Sequence, residues 1–123
     1  MYEKSGNYFI SLLFSMPTQA ETVDKKTWVD AMETALPAYF CKSDSYFRQC
    51  FSVSASQCEE TASSVTRLCL AKSSAEIPDL LVQPTDGSHW GREVGRCAGI
   101  AYEAALIQNK VKSNLCANAE NWL

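Results

Sequence analysis

The sequence predicts an all-α fold, a small disulfide-stapled helical bundle of about four helices, and three observations carry that prediction. Apolar residues recur at three- and four-residue intervals in several stretches. No stretch alternates apolar and polar residues as a half-buried strand requires. Six cysteines stand at positions 41, 50, 58, 69, 97 and 116 of a 123-residue chain, a density typical of secreted domains too small to rely on a hydrophobic core alone.

Residues 8 to 16, Tyr-Phe-Ile-Ser-Leu-Leu-Phe-Ser-Met, form an apolar run behind Lys4, and Thr18 and Ala20 suit the small-residue positions of a signal-peptidase site. The expected organisation is therefore a signal peptide over residues 1–20 and a single domain over residues 21–123. Nine residues are too few for a permanent membrane span. The cysteine count independently calls for an oxidising compartment, so the expected location is periplasmic or extracellular.

Along the domain, Trp28, Met32, Leu36 and Tyr39 share one helical face, and Thr27-Trp28-Val29-Asp30 has the form of a capping box. Pro37 cannot donate to the carbonyl of Glu33, so a kink or restart is expected there. Lys42-Ser43-Asp44-Ser45 reads as a break with a new N-cap, followed by a short helix from Tyr46 to Phe51. Ser54-Ala55-Ser56-Gln57 is a second capping box, and Cys58, Ala62, Val65 and Cys69 then line one face of a helix from about Ala55 to Lys72. Pro78 and Pro84 mark residues 73–86 as a long connection, although Ile77, Leu80, Leu81 and Val82 within it need cover. A last helix is expected from beyond Asp86 to about Lys110.

Six cysteines allow fifteen pairings. Two antiparallel helical segments riveted around a turn near Val53 and Ser54 favour Cys41 with Cys69 and Cys50 with Cys58, leaving Cys97 with Cys116 to fasten the tail. Cys58 and Cys69, eleven residues apart, share a helical face and differ by about 16 Å of rise. A metal reading is weak, because there is no C-x-x-C pair and only one histidine. No metal and no cofactor are expected.

Gly87, Gly91, Gly95 and Gly99 recur every fourth residue. A glycine inside a helix costs about 1 kcal/mol relative to alanine, so a compensating close backbone approach is expected at Gly91, Gly95 and Gly99. The approach could come from within the chain or from a second copy, which makes a homodimer through this ladder a further expectation. Arg92, Glu93 and Arg96 exclude a membrane-spanning dimer.

The formal charge of −3, with no run of Lys or Arg, argues against nucleic acid and anionic membranes as partners. There is no phosphate-cradling glycine loop, no H-E-x-x-H and no calcium loop. Any Ser/His/Asp or Cys/His mechanism would have to use His89, and cysteines in disulfides are not nucleophiles. The expected function is binding of another protein, as an inhibitor, immunity protein or secretion accessory. Leu80, Leu81, Asp86, His89 and Trp90 are its binding residues, because a loop on a rigid scaffold with a tryptophan is a common recognition surface. Two alternatives are a carrier holding a small apolar ligand between helices beneath residues 73–86, and a small secreted hydrolase using His89.

Overall fold

The computed structural model describes residues 21–122, and the expected signal peptide over residues 1–20 lies outside them. Among the described residues the chain runs β1 (Glu21–Asp24), α1 (Lys25–Phe40), α2 (Tyr46–Gln49), α3 (Ala55–Ser73), β2 (Leu80–Gln83) and α4 (Thr85–Ala105), with short 3-10 turns at Ile107–Asn109, Leu115–Ala117 and Ala119–Trp122. Four α-helices and three disulfides make the small helical bundle expected, with one added antiparallel ribbon.

The helix starts follow from local side-chain chemistry. Ser54 Oγ accepts from the Gln57 amide at 3.0 Å and begins α3 where the capping box places it. Ser45 Oγ accepts from the Arg48 amide at 3.2 Å and begins α2. At α1 the cap is Asp24, three residues ahead of the expected Thr27. The Thr27 amide donates to Asp24 Oδ1 at 2.8 Å, and this bond lowers the Asp24 pKa below the ordinary carboxylate value. α1 runs through Pro37 to Phe40, where the Cys41 amide donates to the Pro37 carbonyl at 3.0 Å. Only the last turn follows the proline, so the missing donor removes one bond without ending the helix.

The connection over residues 73–86 contains a strand that the sequence pattern conceals. β2 pairs antiparallel with β1 in the register Thr22 to Val82 and Val23 to Leu81. Leu81 is fully buried while Leu80 and Val82 face solvent, so three consecutive apolar residues obey a two-residue alternation that hydropathy does not display.

α3 is the central helix, packed against α1 on one side and α4 on the other. This arrangement corrects the expected disulfides. The bridges are Cys41–Cys58, Cys50–Cys116 and Cys69–Cys97, in place of Cys41–Cys69, Cys50–Cys58 and Cys97–Cys116. Cys58 and Cys69 do share the buried face of α3, as their spacing requires. Cys58 lies in its first turn, beside the end of α1, and Cys69 lies about 16 Å further along, where α1 has no cysteine and α4 presents Cys97. The reading of a two-helix hairpin omitted the third helix that takes the second bridge. Cys50–Cys116 holds the C-terminal segment, and backbone bonds from Ser52 to Asn109 and from Val111 to Cys50, 2.8 and 2.9 Å long, reinforce it.

The core gathers Trp28, Phe40, Phe51, Ile77, Leu81, Val94 and Tyr102 around the six half-cystines. The buried stripe of α4 is Val94, Ala98 and Tyr102. On an α-helix its centre lies about 60° around the axis from that of Gly91, Gly95 and Gly99. The expectation of close packing at Gly91 and Gly95 is therefore corrected: a Cβ at either position would meet no atom within 4 Å. At Gly99 a Cβ would come 3.4 Å from Phe47 Cζ, so the neighbour is an aromatic side chain of α2 and not another helix backbone. Gly95→Ala should accordingly raise stability, by about 0.5–1 kcal/mol, through helix propensity alone. A denaturant midpoint that moves upward confirms this, and one that falls shows a contact at that face.

Candidate functional site

The structure separates the five residues the sequence groups as a binding surface. Leu80, 60 % exposed, projects outward with Val82 from the ribbon, whereas Leu81 is 0 % exposed and belongs to the core. Leu81 is thereby removed from the binding set, because its position in the strand turns it inward between two outward neighbours. Asp86 Oδ2 accepts from the Val82 amide at 2.7 Å, and Gln83 Oε1 accepts from the Gly87 amide at 3.0 Å. These two bonds tie the end of β2 to the first turn of α4, so Asp86 has a structural task. His89 is exposed with its ring 4.8 Å from that of Trp90 and nearly perpendicular to it. Trp90 is half-buried against the core. Among the described residues His89 makes no hydrogen bond to a carboxylate or hydroxyl.

A second site, which the sequence reading missed, lies at the opposite end of α1. A cleft of about 350 Å³ is lined by Tyr39, Lys42, Asp44, Ser45, Tyr46, Phe47, Ala119 and Trp122. Tyr39 ends α1, the Lys42–Ser45 turn supplies the polar wall, and Tyr46 and Phe47 form the first turn of α2. Trp122 comes from the C-terminal segment that Cys50–Cys116 holds nearby. The Ser45 hydroxyl both caps α2 and donates to the Phe40 carbonyl, which fixes the turn.

The rings stand at steep angles. Phe47 lies flat on Phe40 with centroids 4.1 Å apart, Tyr46 is inclined to Phe47 by 77°, and Trp122 is inclined to Tyr46 by 63°. The Trp122 indole N–H donates to the Leu115 carbonyl at 3.1 Å. Lys42 Nζ lies 5.8 Å from the centre of the exposed Tyr39 ring. The signal available in the sequence was two aromatic pairs, Tyr39-Phe40 and Tyr46-Phe47, flanking a charged turn. The contribution of Trp122 depended on knowing the partner of Cys116.

Beneath the cleft, Tyr46 Oη donates to Glu103 Oε2 at 2.7 Å and accepts from Lys110 Nζ at 2.7 Å, with Lys110 also 3.6 Å from Glu103. Burial raises the Tyr46 phenol above its ordinary value, and the bond to Tyr46 raises Lys110. Both groups are thus held in their protonated forms by the fold. A raised folded pKa contributes stability that is complete below the unfolded value and is lost as pH rises through the folded one. Melting temperature should therefore fall above about pH 10, and less steeply in Tyr46→Phe, which removes the titrating phenol.

All six cysteines are in disulfides, so none is a thiolate. Among the described residues no cluster of three His, Cys, Asp or Glu could hold a metal, and no helix is long and apolar enough to cross a membrane. Fold and staples together define a small helical module of an exported protein, periplasmic or extracellular. A family model described as T2SS substrate NttA matches residues 22–110, and the chain belongs to that family of secreted substrates. No curated protein and no solved structure matches the chain.

Proposed function

We propose that this exported domain works by binding another protein through the outward face of the ribbon and the start of α4, and that it is not an enzyme. The observation that carries this reading is the pair Leu80 and Val82, 60 % and 41 % exposed on a strand whose intervening residue is fully buried. Register with β1 fixes two apolar side chains toward solvent, with exposed His89 and half-buried Trp90 at the start of the following helix. Aromatic and aliphatic anchors on a rigid element are what the centre of a protein interface needs. An inhibitor, an immunity protein or a secretion accessory would each use such a surface, and membership of a secreted-substrate family supports the export of the domain and does not choose among the three.

Two observations favour this reading over its rivals. Ile77 and Leu81, 2 % and 0 % exposed, fill the space beneath residues 73–86 where a carrier would need a cavity. His89 lacks the orienting partner that a general base requires. The test is cross-linking of the secreted protein in its native medium, comparing wild type with Leu80→Asp/Val82→Thr. The variant should keep its melting temperature and lose the cross-linked partner. A folded variant that captures the same partner equally well overturns the proposal, as does a hydrolytic activity abolished by His89→Ala alone.

A further inference from the structure

The aromatic cleft beside α2 is separate from the ribbon surface, and its chemistry specifies a ligand independently of the protein partner. We infer that it binds a small zwitterion of the phosphocholine class, a methylated ammonium joined by a short linker to a phosphate. Tyr46, Phe47 and Trp122, inclined by 77° and 63°, form walls and not a flat platform. The faces of such rings carry negative potential and attract cations. A fourth ring of the cleft, Tyr39, already has an ammonium beside it, with Lys42 Nζ 5.8 Å from its centroid.

The hydrogen-bonding atoms of two walls are spent. Tyr46 Oη is engaged by Glu103 and Lys110, and Trp122 Nε1 by the Leu115 carbonyl. Tyr46 is buried and Trp122 half-buried, so what they present to the cleft is hydrocarbon, which suits a methylated ammonium that has no N–H to satisfy. The opposite charges of Lys42 and Asp44, two residues apart in one turn, complete the argument. A lone cation would be repelled by Lys42 and a lone anion by Asp44, whereas a zwitterion places its ammonium near Asp44 and its phosphate on Lys42. The volume of about 350 Å³ accommodates a ligand of this size.

The experiment is an amide-shift titration of the disulfide-bonded protein with phosphocholine, choline, phosphoethanolamine, inorganic phosphate and glucose. Phosphocholine should give saturable shifts confined to residues 39–47 and the segment around Trp122. Choline and phosphoethanolamine should each bind about tenfold more weakly, as should phosphocholine to Tyr39→Ala and to Asp44→Asn. Tyr39 and Asp44 are exposed, so both variants should fold. Absence of shifts at about 10 mM phosphocholine, an equal response to phosphate or glucose, or binding undiminished in both variants overturns the inference. Sedimentation with phosphatidylcholine but not phosphatidylglycerol vesicles, reversed by free phosphocholine, assigns the ligand to a lipid headgroup. Binding of free phosphocholine without sedimentation assigns it to a soluble molecule. Both of these results support the site.

Discussion

Replacing Cys50 and Cys116 together by alanine, with the other two bridges intact, should cost about 4 kcal/mol, the largest loss of any single staple. This bridge closes 66 residues of chain, against 28 for Cys69–Cys97 and 17 for Cys41–Cys58. In the chain-entropy account the unfolded ensemble gains most freedom when the longest loop is opened, and the shortest loop here should cost nearer about 3 kcal/mol. Against a total stability of about 5–15 kcal/mol, either loss is large. The same variant frees the segment that carries Trp122, so the cleft should lose one wall while the α1, α3 and α4 packing survives. Guanidinium midpoints for the three double-alanine variants give the order directly. Equal losses in all three would show that the folded-state contacts of the cystines, and not loop length, set their worth.

Tyr102→Ala should be nearly as damaging, at about 3–5 kcal/mol, because a wholly buried ring is removed from the centre of the core. Tyr102 meets Phe40, Phe47 and Phe51 edge-on with centroids 5.0 to 6.1 Å apart, so one truncation exposes three aromatic partners to a void. Its hydroxyl donates to the Phe47 carbonyl at 3.0 Å. Tyr102→Phe keeps the ring and leaves that carbonyl to find another donor, and should cost only about 1 kcal/mol. Thermal melts of the two variants separate packing from hydrogen bonding. Similar losses in both would assign the effect to the hydroxyl.

Local chemistry was legible in the chain wherever cause and effect lie within a few residues. Ser54 and Gln57 mark the start of α3, Ser45 marks the start of α2, and the eleven-residue interval from Cys58 to Cys69 puts both on one face. Each depends on a hydrogen bond across one turn or on helical periodicity, and both are written in consecutive residues. The cysteine count likewise determined the exported class, because disulfide use follows from compartment and domain size.

The tertiary structure decided everything that needed a partner remote in sequence. β2 exists because β1 lies beside it, about sixty residues earlier, and Leu80 and Val82 are exposed only because that pairing turns Leu81 inward. The cystine partners depended on α4 joining α1 against α3, an arrangement no spacing encodes. The glycine ladder misled for a related reason. Periodicity locates a stripe on a helix but not its azimuth relative to the core, and the packed stripe proved to be Val94, Ala98 and Tyr102, centred about 60° away. The aromatic cleft gathers Tyr39, Tyr46 and Trp122 from three segments, so its existence waited on the bridge that brings residue 116 back to residue 50.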